Sequence, residues 1–379
     1  YASYHRWRGC FFFISFGKKP KSYTDLAGHV NQTISVLLSY TCRQSRNSIL
    51  TYSKAIKMRN LVLIIVLILN SFQANSQDIE KHPASLSSPG LKYDLDKSNA
   101  ALGISSGVLS RLAALEKPPL NIAVFGVDRR DNKVYGNADM IMIISLDQVS
   151  KQIKLSSILR DTYVNINGLG MDKINAAFAT GGPQMAIRAL NENFSMDIRD
   201  FLSLDFFGSA KIIDALGGVT ITVKKEEIPN LNRYLKEIGP AELMASDEIQ
   251  HEGLQKLNGR QAVAYTRIRY VGNADYERTE RQRKVMSALL ENVRTFNSEA
   301  LPALAMQIFP YMVTSIPPMT LFKLGSDFSN SKNIRLEPAM FPLAKESKGV
   351  FIDGLWYLSA DLKATTNSLH NFIYKNIKP

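Results

Sequence analysis

Cysteine is nearly missing from this 379-residue chain, and both copies, Cys10 and Cys42, fall in its first segment. The remainder therefore has neither a disulfide nor a cysteine metal site, and its compartment must be read from targeting signals. Histidine is scarce as well: only His251 and His370 follow residue 120, and neither sits beside a strand end, a nucleophile or another ligand. A His-based triad and a histidine-rich zinc site are thereby nearly excluded. A net positive charge is nearly missing from the body, although the formal net charge of the chain is +12 at pH 7. Residues 1–76 hold 10 Lys+Arg against 1 Asp+Glu, which leaves 36 against 33 for everything after Ser76. A near-neutral body without a helix-turn-helix pattern gives nucleic acid no footing.

A long apolar run is lacking too. Leu61 to Leu69 is a nine-residue stretch of Leu, Val and Ile, well short of the roughly 20 residues that span a bilayer. It follows the basic Lys57-Met58-Arg59 and precedes the small residues Ala74 and Ser76. That is the layout of a secretory signal, so residues 58–76 are expected to be a signal peptide or an N-terminal membrane anchor. Residues 1–57 mix basic, aromatic and Ser/Thr residues without periodicity and are expected to be an upstream, non-native segment, with Met58 as the natural start. Residues 77–117, rich in Ser, Lys, Asp and Pro, read as a linker with one short helix over 106–116. The linker contains Gly103-Ile-Ser-Ser-Gly107, the spacing of a hydrolase nucleophile elbow. No buried strand precedes it, so it is read as a chance match.

What is present from residue 118 to 379 is an orderly globular pattern, in a chain with 45% hydrophobic residues. Apolar strands are expected at 122–126, 140–146, 153–159 and 219–223. Helices are expected at 173–179, 183–193, 206–216 and 258–265, with a long amphipathic helix over 276–296. Interleaved strands and helices point to an α/β sandwich with helices on both faces of a sheet.

Acids and arginines gather at the ends of these elements. Asp128 follows the first strand and Asp139 immediately precedes the second, so both can project at one sheet edge. Paired hard carboxylate oxygens suit Mg²⁺, which keeps water and substrate phosphate as its other ligands; solvated turn residues are the plain alternative. Arg160-Asp161 ends a strand, and Arg267-Ile-Arg269 follows a short helix with a spacing that aims both guanidiniums one way if extended. On the long helix Arg278, Arg281 and Gln282 lie three and four residues apart, near its N-terminus. Arginine holds phosphate oxygens two at a time and stays charged in any environment, which suits a pyrophosphate. Ordinary surface ion pairing is the competing explanation, and for Arg283 and Lys284 it is accepted.

Taken together, Phe-Gly126-Val-Asp128-Arg129-Arg130, Asn137-Ala-Asp139-Met, Leu-Arg160-Asp161-Thr-Tyr-Val, Lys173-Ile-Asn175-Ala-Ala-Phe, Asp214-Ala-Leu-Gly-Gly-Val, Asn-Gly259-Arg-Gln-Ala through Arg267-Ile-Arg269, and Glu-Arg278-Thr-Glu-Arg281-Gln282 resemble the LytR-CpsA-Psr domain. The resemblance covers about two thirds of the chain, in the family's order. It implies a single three-layer α/β/α domain with a central mixed sheet, and an apolar pocket for a polyprenyl tail opening onto an arginine-lined mouth. By the same resemblance Asp128 and Asp139 would hold Mg²⁺, and Arg160, Arg267, Arg269, Arg278 and Gln282 would grip the pyrophosphate. Asp161 becomes a candidate general base, and Lys173, Asn175 and Arg281 candidate substrate contacts. Asn137 stands where the family often has Arg, so Arg129 or Arg130 compensates or the site prefers another substrate.

The activity so implied is Mg²⁺-dependent transfer of an anionic glycopolymer from a polyprenyl pyrophosphate carrier to peptidoglycan or another envelope acceptor. The expected location is outside the cytoplasmic membrane, secreted or anchored at its outer face, with a membrane surface and no nucleic acid as partners. A pyrophosphatase on the same carrier, or a non-catalytic lipid-phosphate receptor or regulator, is the alternative.

Overall fold

Two neighbouring strands are apolar on both faces, and that sets the architecture. The computed structural model describes residues 93–128, 135–237, 248–269, 274–295, 300–329 and 335–379, together with the short strands β1 (Arg6–Trp7) and β2 (Cys10–Phe11). Those two strands pair antiparallel within a first unit, Tyr1–Pro83; the second unit is Ala84–Pro379. The expected leader at 58–76, and the rest of the expected upstream segment, lie outside the described residues. Among the described residues no helix is long and apolar enough to cross a membrane.

In β3 (Leu120–Asp128), Ala123, Phe125 and Val127 bury on one face while Ile122 and Val124 bury on the other. In β4 (Asn137–Asp147), Ile141 and Ile143 share the first face, and Met142, Ile144 and Leu146 the second. A strand's two-residue period makes this split, and a sheet buried on both sides requires the continuous apolar runs seen in the sequence. The full six-stranded order is β11 (Val313–Thr314), β8 (Asp200–Leu204), β3, β4, β5 (Gln152–Ile158) and β12 (Arg335–Phe341). Pairs β3–β8 and β5–β12 are parallel and the others antiparallel, so the sheet is mixed.

One face is covered by α1 (Ser106–Ala113), α2 (Ala176–Phe194) and α9 (Leu362–Lys375), which contribute Val108, Phe178, Leu190 and Phe372 to the core. The other is packed by α6 (Ala274–Thr295) and α8 (Pro318–Ser329) through Met286, Leu290, Leu321 and Leu324. A side lobe groups α3 (Phe206–Ala215), α4 (Ile228–Glu237) and α5 (Gly259–Thr266) with the hairpin β9 (Val219–Val223)–β10 (Gly253–Leu257). Helix α7 (Leu301–Ile308) packs beside α3. Two further hairpins, β6 (Tyr163–Ile166)–β7 (Gly170–Lys173) and β13 (Ser347–Ile352)–β14 (Leu355–Ala360), complete the chain. The expected α/β/α sandwich with a central mixed sheet is what forms.

Three local readings can be compared with the structure. The linker expected over 77–117 is packed from residue 93 onward: Leu95, Leu102, Ile104 and Val108 are core residues. Their apolar side chains are dispersed in a polar stretch without helical or strand period, which hid them. Ser105 of the elbow-like sequence is the N-cap of α1, its hydroxyl accepting from Val108 N–H at 3.4 Å, which agrees with reading the elbow spacing as a chance match. The two expected helices over 173–193 are the two arms of α2, parted by the non-helical Gly181 and Gly182 just before Pro183; the first starts at Ala176 because Lys173 ends a strand. Gly182 has φ +61°, and a Cβ there would lie 2.6 Å from the Tyr135 ring, so only glycine fits the break.

A lysine in the middle of β5 looks misplaced by pattern alone. Lys154 is 1% exposed, and its Nζ donates to the carbonyl of Ile373 at 3.3 Å, to that of Phe372 and to Oδ1 of Asn376. These are the last carbonyls and the C-cap of α9, where a cation meets the negative end of the helix. The buried charge thus fastens α9 to the sheet.

Candidate functional site

The site begins with an irregularity between β3 and β4. Gly126 pairs with Met140 but Val127 pairs with Ala138, which leaves Asp139 as the extra residue on β4. A bulge bends its strand and re-aims a side chain. The carboxylate so placed collects three guanidiniums. Oδ1 accepts from Arg160 Nη1 at 2.6 Å, and Oδ2 accepts from Arg278 Nη2 at 2.7 Å and Arg269 Nη2 at 3.3 Å. Gln282 Nε2 makes a long contact, 3.5 Å, with the Asp139 carbonyl.

Burial alone would raise the Asp139 pKa, but Arg278 and Arg160 outweigh it and hold the carboxyl down at about 2. Asp139 is therefore ionised at any physiological pH, and three cations face its single negative charge. Arg278 is the most enclosed of the three. Its side chain is 4% exposed, and its Nε and Nη1 are buried without a hydrogen-bond partner. Such donors are uncommon in folded proteins and cost about 1–3 kcal/mol each when left unmet. Burial lowers its pKa and Asp139 opposes that, while Arg160 and Arg269 lower it further.

Two recesses open on this pair. A cavity of about 250 Å³ is lined by Asp128, Asp139, Arg233, Arg267, Arg269 and Arg278 among others. A second, about 20 Å³, is bounded by Asp139, Arg160, Asp161, Arg278 and Trp356 among others. Arg267, the C-cap of α5, lies between the rings of Phe206 and Tyr234, 4.9 Å from each centroid, and reaches Glu237 Oε2 at 3.4 Å. Ring stacking on both sides fixes the plane of a guanidinium that would otherwise rotate. The segment is helical at Arg267 rather than extended, yet Arg267 and Arg269 both line the larger cavity.

Asp161 has one partner on each oxygen: Lys173 Nζ at 2.8 Å from Oδ1 and Arg160 Nε at 3.3 Å from Oδ2. A carboxylate tied to two cations is a positioning group for Arg160 more than a proton acceptor. Asn175 supports the same corner from its backbone, its N–H donating to the Arg160 carbonyl at 3.2 Å. Asn137 pairs with Asp128 across the strands and is exposed.

Arg281 does not join this group. Its guanidinium is held by Glu227 Oε1 at 2.7 Å, Glu277 Oε2 at 2.8 Å and the Ile268 carbonyl at 3.2 Å, with 3% of the side chain exposed. The expected substrate contact is replaced by a buried ion pair tying α6 to the start of α4. Arg129 and Arg130 lie outside the described residues. Asp214 and Gly259, also in the quoted motifs, are structural: Asp214 Oδ1 accepts from Gly259 N–H at 2.7 Å, and a Cβ at Gly259 would meet the Ala210 carbonyl at 2.0 Å.

Sequence reasoning missed Arg233 and Glu237, which enter from α4, a helix without a strong start signal. It also missed Trp356 as a site residue. Its hairpin was readable, since the turn residues Asp353 and Gly354 both have positive φ, +50° and +78°, the conformation that Asp-Gly pairs favour. Among the described residues no cluster of three or more His, Cys, Asp or Glu could hold a metal ion. A cation here would rely on Asp128 and Asp139, on the same cavity, plus oxygens of its substrate. Carboxylate oxygens are the donor type that Mg²⁺ takes.

The LytR_cpsA_psr family model matches residues 85–372. The regulatory protein MsrR of Staphylococcus aureus is 32% identical over 212 residues, 55% of this chain and 60% of that protein. The chain thus spans about three fifths of that relative's length. The polyisoprenyl-teichoic acid–peptidoglycan teichoic acid transferase TagU of Oceanobacillus iheyensis is 29% identical over 250 residues, 64% of this chain and 71% of that one. Among solved structures, B. subtilis TagT superposes with a TM-score of 0.54 at 21% identity, over 68% of this chain and 91% of its own. The LytR-CPS2A-psr family protein YwtF (TagT) with bound octaprenyl pyrophosphate lipid gives 0.52 at 19% identity, over 77% and 99%. At those identities the likeness speaks to the fold.

Proposed function

The chain belongs to the LytR_cpsA_psr family, and from that premise we propose that it is an extracytoplasmic phosphotransferase moving an anionic glycopolymer from a polyprenyl pyrophosphate carrier onto peptidoglycan or another envelope acceptor. The observation that carries this reading is Arg278: its Nε and Nη1 are buried with no hydrogen-bond partner, and the residue lines the cavity that Arg267, Arg269 and Asp128 also line. A buried cation with spare donors is what a phosphoryl oxygen would satisfy. The family relatives fit it: TagU is named a teichoic acid transferase, and the YwtF structure holds a polyprenyl pyrophosphate lipid.

In this reading Arg267, fixed between two rings, and Arg269, partly exposed at the mouth, bind the pyrophosphate as it arrives. Arg278 and Arg160 take the charge that builds on the phosphoryl oxygens during transfer, with Asp139 holding both guanidiniums in place. Asp161 and Lys173 fix Arg160 from the other side. Asp128 and Asp139 would hold Mg²⁺, which supplies further neutralisation of the pyrophosphate. The acceptor hydroxyl attacks the sugar-side phosphorus, its proton is lost, the bridging P–O bond breaks and polyprenyl phosphate leaves.

The test starts with purified chain extracted into organic solvent and read by mass spectrometry for polyprenyl phosphate or pyrophosphate, comparing wild type with Arg269→Ala. Lipid in the wild type and little in the variant is expected. A transfer assay with Mg²⁺ and acceptor follows, and free polymer without attachment would make the protein a pyrophosphatase instead. A folded protein that takes up no lipid even when challenged with polyprenyl pyrophosphate would sink the proposal.

A further inference from the structure

The phosphotransferase reading gives no role to the smaller recess itself or to the hairpin beside it. Its volume, about 20 Å³, is room for one water or one hydroxyl group and no more. Four of its bounding groups are charged, Asp139, Arg160, Asp161 and Arg278, and one is the indole of Trp356 on β14. That indole has a prepared seat. Across the hairpin stands Gly349, where a Cβ would come within 2.8 Å of the Trp356 Nε1 and 3.2 Å of its ring carbon Cε2. Any larger residue at 349 would push the ring away.

The aromatic surface continues outward from Trp356. Tyr357 and Tyr163, both partly exposed, have ring centroids 4.9 Å apart. Lys173 Nζ lies 5.9 Å from the Trp356 ring centroid and 5.5 Å from that of Tyr357, while bonded to Asp161 at 2.8 Å. Moving away from the arginines, the site thus passes from three guanidiniums gathered on one carboxylate to rings edged by a matched ammonium–carboxylate pair. A phosphate has no reason to prefer the second region. A hexopyranose does: its C–H faces lie flat on aromatic rings, and its hydroxyl and amide rims need both donors and acceptors.

Resting on the phosphotransferase reading, we infer that Trp356, Tyr357 and Lys173 form the acceptor subsite, holding the sugar ring whose hydroxyl occupies the small recess beside Arg160 and Arg278. The ligand class is a neutral or N-acetylated glycan. Trp356 acts by orienting that ring, so its loss shows in acceptor binding and not in pyrophosphate binding.

The chain has two tryptophans, Trp7 and Trp356, so Trp7→Phe leaves Trp356 as the sole indole reporter. We would titrate this full-length variant with chitotetraose, a soluble N-acetylglucosamine tetramer, and separately with undecaprenyl pyrophosphate. Chitotetraose is expected to change the emission saturably, and adding Lys173→Ala or Gly349→Val should weaken that binding about tenfold with an unchanged circular dichroism spectrum. In the transfer assay Trp356→Ala should raise the acceptor KM about tenfold, Trp356→Phe should recover most of it, and the donor KM should stay put. A protein that binds undecaprenyl pyrophosphate but gives no response to the glycan overturns the subsite. So does a donor KM that rises in place of the acceptor's, which would give the rings to the donor glycan. Glycan binding without any lipid binding would instead overturn the phosphotransferase reading and leave the subsite standing.

Discussion

Arg278 Nη2 sits 2.7 Å from Oδ2 of Asp139, and the remaining two nitrogens of the same guanidinium are buried with no partner. One edge of the fork is thus anchored and the other meets no protein acceptor. Arg278→Lys keeps the charge and has the reach to touch Asp139, but it loses the planar fork. Single-turnover transfer should slow by about 10²-fold, the range for removing one preorganised donor, with thermal stability largely kept. Full activity in the lysine variant would mean that charge alone suffices.

Asp139 gives the fold an acid limit. Its pKa falls from the ordinary 3.8 to about 2, burial being overcome by Arg278 and Arg160. Between these values the unfolded chain binds the proton and the folded one does not, so stability rises with pH across that window. The contribution, about 2 kcal/mol, is complete above about pH 4 and lost as pH falls through about 2. Urea midpoints followed from about pH 5 down to about pH 2 should show wild type losing this increment, while Asp139→Asn, already lower at neutral pH, loses less.

Arg281 separates fold from function. It is three residues from Arg278 on α6, yet its partners Glu227 and Glu277 make it a strut. Arg281→Met should cost about 3–5 kcal/mol because it strands the buried Glu227, and the double variant with Glu227→Leu should recover most of that loss. The double variant should bind polyprenyl pyrophosphate as tightly as wild type. Weakened binding in a restored fold would return Arg281 to the site.

Much of this was legible before any coordinates, and the limits have physical causes. The apolar runs of β3 and β4 announce strands, and the acids that flank them announce an edge. A spacing of three on a helix says that Arg278 and Arg281 are neighbours, but the two point to adjacent faces, and what waits on each face comes from distant chain. Glu227 is 54 positions from Arg281 and Asp139 is 139 from Arg278. The bulge that makes Asp139 central is a register shift, invisible to composition. Leu95 and Leu102 were unreadable because a segment pinned to a core by a few dispersed side chains has no period. Trp356 was within reach, since its Asp-Gly turn marks a hairpin, but nothing in the sequence ties that hairpin to the arginines.

Asp128 offers a test of the metal. It shares the larger cavity with Asp139, whose oxygens already serve three arginines, so on the proposed reading a cation there would need the Asp128 carboxylate as a second ligand. Chelation should abolish transfer, and Asp128→Asn should raise the Mg²⁺ concentration for half-maximal rate about tenfold or more. A rate indifferent to chelator and to Asp128→Asn would leave the arginines as the only charge stabilisers.

His370, read from the sequence as an ordinary packing residue, has a measurable consequence even so. Its Nδ1 lies 3.2 Å from Arg111 Nη1 and its Nε2 lies 2.9 Å from the Phe194 carbonyl. A neutral ring satisfies both, accepting from the arginine and donating to the carbonyl, whereas a protonated ring would turn an N–H toward a cation. Burial first, then Arg111, lowers its pKa from 6.5 to about 4. Between those values the unfolded chain carries the proton and the folded chain does not, so stability declines as pH drops from about 6.5 to about 4. After screening at a partly exposed site the loss is about 2 kcal/mol. His370→Gln can still accept from Arg111 and donate to Phe194 but cannot titrate, so its unfolding midpoint should be flat across the same interval. A wild-type midpoint equally flat there would show that the imidazole is protonated in the folded protein, and that Arg111 does not hold its observed place against it.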